Sequence, residues 1–113
     1  MQSKVEIVKE VLASLYESDG VPYRYDHFRE SEAVAPPFIV WRKIASDTIG
    51  ADGEAYHYEA GVDLEIYAED EELMDQLVSK IRALLDAKEI FYRITADTVY
   101  IESEDFYESL LEL

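Results

Sequence analysis

The run from Tyr56 to Ala68 constrains the fold more than any other part of the chain. Apolar or aromatic residues fill its even positions, and mostly polar residues or glycine fill its odd ones. The first set is Tyr56, Tyr58, Ala60, Val62, Leu64, Ile66 and Ala68; the second is His57, Glu59, Gly61, Asp63 and Glu65. Side chains alternate between the faces of a strand, so this period of two predicts one buried and one solvent-facing side. A solvent-facing side favours an antiparallel sheet.

A second strand, Phe38–Ala45, precedes this run. It begins with four consecutive apolar residues and continues with Arg42 and Lys43. A strand covered on both faces at one end has this pattern. A helix is the expected cover on one face, and the sequence leaves open whether a local loop or another subunit covers the other. The connection between the strands, residues 46–54, is longer than a usual hairpin turn, and long loops often carry function.

Two amphipathic helices are predicted on either side of these strands. The first spans residues 3–18, with Ser3 as its N-cap and Gly20 as the left-handed residue that ends it. The second spans residues 69–87 and has Asp70 as a good capping residue. Both carry apolar residues at spacings of three and four, which indicates that each turns one stripe to the core.

The remaining predicted strands have shorter or more ambiguous sequence patterns. Val21–Phe28 has the aromatic content of a strand, and Ile90–Thr95 is a second short candidate. The tail 98–113 fits either two strands separated by a bulge or a strand followed by a helix, because its last apolar residues also fit a period of 3.6.

Length and composition predict a single domain over residues 1–113. The chain has no cysteine, which excludes a disulfide framework and thiolate chemistry. No apolar run approaches the roughly 18 residues of a membrane span, and the N-terminus lacks a secretory cleavage site. We therefore expect no membrane association.

The net charge is −16, from 10 basic and 26 acidic residues. Residues 1–60 contribute −5 (6 basic, 11 acidic) and residues 61–113 contribute −11 (4 basic, 15 acidic). Such a surface repels nucleic acid and anionic membranes. The simpler interpretation of this net charge is that it keeps the protein soluble. Two more specific interpretations are a nucleic-acid mimic and an acidic docking surface for a basic partner.

No catalytic motif is present. The chain has no phosphate-binding glycine loop and no nucleophile elbow. His27 and His57 lie on predicted strands without the spacing of a zinc site, and Asp47, Asp52 and Glu54 do not match a calcium loop. The sequence predicts neither an enzyme nor a cofactor; a small metal protein is a third hypothesis that rests only on scattered acids and two histidines.

The order of elements resembles a known family. The matching pieces are VPYRY, PPFIVW, the tyrosine-rich strand that leads through VDLEIYAEDEE into the second helix, and the closing FYRITADTVYIESEDFYESLLEL. The chain is similar over nearly its whole length to the tail-completion proteins of long-tailed phages and prophages, also called tail-terminator or head–tail joining proteins.

This resemblance implies an α+β fold: an antiparallel sheet of four to five strands with two helices packed on one face, in the order α-β-β-β-α-β-β. It implies that Phe106–Glu112 is a strand. It also implies a homo-oligomeric ring, typically a hexamer, that meets the tail-tube and head-completion proteins. We expect such a subunit in the virion and, during assembly, in the host cytoplasm, with no catalytic residues and no direct binding of nucleic acid.

We expect an interface at the strand Phe38–Ala45, which is apolar on both faces at its start, and at the long loop 46–54. Its candidate residues are Phe38, Ile39, Trp41, Arg42, Lys43, Asp47, Ile49 and Asp52. The alternative to a ring subunit is a soluble acidic inhibitor that mimics DNA and binds a DNA-interacting protein.

Overall fold

A computed structural model describes residues 2–44, 47–48, 57–58 and 61–113. The elements in chain order are α1 (Lys4–Asp19), β1 (Tyr23–Tyr25), a 3-10 turn (Glu30–Glu32), β2 (Phe38–Ile44), β3 (Asp47–Thr48), β4 (His57–Tyr58), β5 (Gly61–Ala68), α2 (Glu71–Ala87), β6 (Arg93–Ile101) and β7 (Phe106–Glu112). Five strands form one sheet in the order β1-β2-β5-β7-β6, and β3 pairs with β4 separately. This α+β fold has the predicted order, with β3 added within the predicted connection 46–54 and with β4 and β5 both lying in the predicted strand run 56–68.

The sheet is mixed, which corrects the prediction of a wholly antiparallel one. β1 runs parallel to β2, from Tyr23 opposite Ile39 to Tyr25 opposite Trp41. The other pairs in the sheet are antiparallel. A parallel pair needs a crossover of about a dozen residues, and residues 26–37 supply one. The strand itself is shorter than predicted, because Asp26 turns the backbone into the left-handed region with φ 67°.

Both helices begin where their capping residues predict. The Ser3 side chain accepts a hydrogen bond from the Glu6 N–H at 3.2 Å. Asp70 accepts one from the Leu73 N–H at 2.8 Å. Gly20 ends α1 with φ 70° and donates to a carbonyl of the last turn. These contacts satisfy backbone groups that a helix end otherwise leaves unpaired.

The alternation of β5 gives the predicted buried face. Its even-numbered residues Val62, Leu64, Ile66 and Ala68 are at most 1% exposed. They belong to one apolar cluster with residues from both helices, from β2 and from β7. Continuous burial of this kind is the main favourable contribution to folding. The prediction for positions 56, 58 and 60 falls outside the described side chains.

The hairpin of β2 and β5 continues beyond the sheet. Ile44 pairs with Gly61, and Asp47 pairs with Tyr58, three residues further out on each strand. The β2–β5 and β3–β4 ladders therefore share one register. On the other side of β5, Val62 exchanges hydrogen bonds with Leu113. We call Asp47–Thr48 with His57–Tyr58 the hairpin arm; most of the predicted 46–54 loop lies outside the described residues.

The C-terminal part forms a hairpin of two strands. The predicted strand Phe106–Glu112 is confirmed, and the helical alternative is wrong. The preceding strand spans Arg93–Ile101 rather than residues 90–95. Its pairing with β7 shifts register twice, and Thr98 adopts φ 53°. Such irregularities break the period of two on which a sequence prediction depends.

Neither of the two helices within the described ranges is long and apolar enough to cross a membrane.

Candidate functional site

A groove of about 420 Å³ lies on the face of the sheet that the buried residues of β5 turn away from. We call it the outer groove. Its apolar wall comprises Phe28, Val34, Phe38, Val40, Tyr67 and Phe106, and its polar end comprises Asp26, Arg42 and Glu65. The volume is within the range of ligand and side-chain binding sites.

Neighbouring strands place the aromatic residues of this wall in contact. Phe38 of β2 pairs with Tyr67 of β5, and their rings stack with centroids 4.8 Å apart. Phe106 packs its edge on Phe38 at 6.0 Å and lies 5.4 Å from Tyr67. Phe28, from the segment after β1, packs on Phe38 at 5.3 Å. The segment after β1 thus covers the second face of β2 at Phe38, and the rest of that face lines the groove.

Arg42 organises the polar end. Its Nη1 donates to both carboxylate oxygens of Glu65, and its Nε donates to Asp26 Oδ1 at 2.9 Å. Its Nη2 also donates to the Asp26 carbonyl at 3.0 Å. The hydrogen bond to Glu65 is the largest cause of a raised pKa at Arg42, followed by the one to Asp26. One guanidinium therefore fixes the end of β1 against β2 and β5.

The pKa of Asp26 is lowered, first by its hydrogen bond with His27 at 2.9 Å and then by Arg42. Burial, followed by a hydrogen bond with Glu108, raises the pKa of the Tyr67 hydroxyl. Tyr67 is consequently a neutral phenol at physiological pH, suited to packing and hydrogen bonding rather than to proton abstraction.

The structure divides the sequence-predicted interface between two faces. Phe38 and Arg42 line the outer groove. Ile39 and Trp41, by contrast, are 0% and 6% exposed and belong to the core, so neither lines the outer groove. Neighbours along a strand point to opposite faces, and a contiguous stretch cannot form one surface for this reason.

The other predicted residues lie apart from the groove. Lys43 is exposed, with its Nζ 5.7 Å from the centre of the Tyr25 ring. Asp47 is in the hairpin arm, where only the backbone is described. Ile49 and Asp52 fall outside the described residues.

Sequence reasoning missed most of the groove. Asp26, Glu65 and Phe106 come from three different elements, and no spacing along the chain connects them. Tyr67 offered a signal, because it is an aromatic residue at an odd position of β5, on the face predicted to be polar. An aromatic residue on the polar side of an alternating strand indicates a second packing surface.

Two further surfaces stand out in the described part of the chain. β6 pairs with β7 on one side, and no other described strand pairs with its second edge. Phe91, just before β6, is 84% exposed, and Val99 and Tyr100 are about half exposed. Seven acidic residues occupy the end of the sheet away from the hairpin arm: Glu69, Asp70, Glu71, Glu72, Glu102, Glu104 and Asp105. At this end Tyr107 Oη donates to Glu71 at 3.4 Å.

Among the described residues, no group of three or more His, Cys, Asp or Glu side chains is placed to hold a metal ion.

Comparison with the known protein families finds no matching family. Comparison with curated proteins likewise finds no matching relative.

Proposed function

We propose that this chain is a structural subunit, not an enzyme, which assembles with copies of itself into a ring of the tail-completion type in the virion of a long-tailed phage. A hexamer is the expected ring. Its partners are the tail-tube and head-completion proteins, and it binds neither nucleic acid nor membrane. Assembly takes place in the cytoplasm of the bacterial host.

The hairpin arm is the observation that supports this proposal most directly. It continues the β2–β5 register past the pair Ile44–Gly61, where the ladder of the five-stranded sheet ends. A two-stranded ribbon is marginally stable in water by itself. Packing on a neighbouring subunit would stabilise such a ribbon, and repetition of one such head-to-tail contact closes into a ring when the rotation allows.

The free edge of β6 supports the same proposal. An unpaired edge strand is a template for another chain. Val99 and Tyr100 on this strand, and Phe91 just before it, are exposed apolar groups of the kind that become buried in subunit contacts. We therefore place one side of the subunit contact at the arm and the other at the β6 edge.

The charge of −16 restricts how the subunits are arranged. Copies repel each other unless their acidic surfaces face solvent or the lumen of the ring. An acidic lumen also allows DNA to pass without adhering. Assembly is accordingly expected to be stronger at 0.3 M than at about 0.02 M salt, because salt screens repulsion between exposed charges.

Light scattering coupled to size-exclusion chromatography tests this proposal. It is applied over a range of protein and salt concentrations, with and without tail-tube protein. The test variant replaces residues 45–60 by an Asn-Gly turn, which favours a tight hairpin between β2 and β5. We expect a ring from the full chain and a folded monomer from the armless chain. A full chain that remains monomeric and does not bind tail-tube protein contradicts the proposal.

The acidic end of the sheet favours a second candidate function, an inhibitor that mimics DNA. Its seven acids lie on two adjoining segments, 69–72 and 102–105. Competition against DNA for nucleases and repressors tests this candidate. The variant Glu71→Gln/Glu72→Gln, compared with Glu6→Gln/Glu17→Gln of equal charge on α1, shows whether inhibition depends on this end or on net charge alone. Failure to displace DNA from any of these proteins excludes the candidate.

A further inference from the structure

We propose that the outer groove binds a basic segment of a partner protein. An apolar side chain of this segment lies against the aromatic wall, and an arginine or lysine lies beside the carboxylates that line the groove, those of Asp26, Glu65 and Glu104. This inference does not depend on the ring, because a single chain contains the whole groove.

The apolar part of the site is already formed in the chain. Phe38, Tyr67 and Phe106 come from three adjacent strands and hold each other at ring distances of 4.8 to 6.0 Å. Val34, which also lines the groove, is 42% exposed. A wall of mutually packed rings loses little conformational freedom when it binds, which favours affinity.

The charges that line the groove select a cation. Asp26, Glu65 and Glu104 carry three negative charges, against one positive charge on Arg42. Asp26 and Glu65 already bind Arg42. The exposed Glu104 carboxylate makes no hydrogen bond or ion pair with any side chain in the described part of the structure. It is available to a cation, and the neighbouring acids at this end of the sheet add to the negative potential.

Charge also decides which occupant is favoured. A second copy of this chain has a net charge of −16. Several of its ten cations are already held by its own acids: Arg24, Arg42, Lys80, Lys88 and Arg93. A basic segment of a different protein is attracted where a second copy is repelled. Side chains that combine an apolar stem with a cationic head, such as arginine and lysine, match the lining at both ends.

A fluorescence-anisotropy titration with a labelled ten-residue peptide of alternating arginine and phenylalanine tests the proposal. Two matched pairs of variants distinguish binding at the groove from non-specific attraction by net charge or by exposed hydrophobic surface. Glu104→Gln is compared with Glu17→Gln, which removes the same charge from exposed α1. Phe106→Ala is compared with Phe91→Ala, which removes a ring that lies outside the groove.

We expect Glu104→Gln to weaken binding severalfold and Phe106→Ala to weaken it on the order of tenfold. The two control variants should stay within about twofold of the unchanged protein. Val34→Arg provides an independent variant at an exposed position, where loss of folding is not expected. It places a cation in the groove and should also reduce binding on the order of tenfold.

Equal weakening by Glu104→Gln and Glu17→Gln overturns the proposal, because binding then depends on net charge alone. So does equal affinity for an oligolysine of the same charge, since the aromatic wall then contributes nothing. Amide chemical shifts that move at residues 69–72 but not around Phe38 and Tyr67 place the peptide outside the groove and overturn it as well. Because the armless monomer retains the groove, a failure here is distinguishable from a failure to form rings.

Discussion

Arg42 Nη1 lies 2.7 and 2.8 Å from the two carboxylate oxygens of Glu65. The two residues sit diagonally across the β2–β5 ladder, since Arg42 is opposite Asp63 and Glu65 is opposite Val40. The Glu65 side chain is only 18% exposed, so the pair is partly removed from water. It holds the polar end of the outer groove together.

Replacing Arg42 by Gln should lower the free energy of unfolding by about 1–2 kcal/mol, because it leaves the shielded Glu65 carboxylate without its partner. Urea denaturation measures the change. Arg93→Gln is the control, since that side chain is 71% exposed in its ion pair with Glu112 and should contribute at most about 0.5 kcal/mol. Equal losses for the two variants contradict the special position of Arg42.

Asp63 should make stability depend on pH. Its pKa is raised above the ordinary 3.8, first by burial and then by the nearby Glu112 and Glu65. A carboxyl with a raised pKa binds its proton more tightly in the folded chain, so its contribution to stability falls as pH rises through that pKa. Asp63→Asn should therefore be more stable than the unchanged protein at pH 7, and this advantage should shrink below pH 3.8.

Thermal unfolding followed at several pH values tests this expectation for Asp63. Asp75→Asn, at an exposed position of α2, controls for the loss of one negative charge. A stabilisation that is the same at neutral and acid pH would count against burial as its cause.

Ser109 should stabilise the irregular part of β6. It is fully buried, and its Oγ accepts a hydrogen bond from the Thr98 N–H at 2.9 Å. Because Thr98 has φ 53°, its N–H depends on this side chain where the ladder is interrupted. Ser109→Ala should cost about 1–2 kcal/mol of unfolding free energy. Ser79→Ala, on the exposed face of α2, should change it by less than about 0.5 kcal/mol; a comparable loss there would refute the role of Ser109.

Asp70 should stabilise the start of α2 through its hydrogen bond from Leu73. Asp70→Ala is expected to cost about 1 kcal/mol. Asp86→Ala should have the opposite sign, because a carboxylate in the last turn opposes the helix dipole. Chemical denaturation of both variants provides the measurement, and two changes of the same sign would contradict the capping interpretation.

Local signals predicted the parts of the fold that depend on neighbours in sequence. The caps at Ser3 and Asp70 and the buried even positions of β5 follow from hydrogen bonds and periods a few residues long. The same reasoning predicted a wholly antiparallel sheet, because nothing local reports which way β1 runs beside β2. The predicted boundaries of β6 were wrong for a related reason. The register shift near Thr98 is stabilised by a hydrogen bond to Ser109, which lies on β7.

The candidate site was less predictable than the fold. The sequence identified Phe38 and Arg42 as candidate interface residues in strand β2, but joined them to Ile39 and Trp41 on the opposite face. In the folded chain Arg42 contacts Glu65 of β5 and Phe38 contacts Phe106 of β7, and no pattern along the sequence connects these strands.

The sequence by itself determined two amphipathic helices, a strongly alternating central strand and an excess of acidic residues, because these depend on composition and short-range periodicity. Only the tertiary structure decided the parallel β1–β2 pair, the common register of β2–β5 with the hairpin arm, and the outer groove. These features depend on contacts between distant segments, whose geometry is set by packing and strand register rather than by any local pattern.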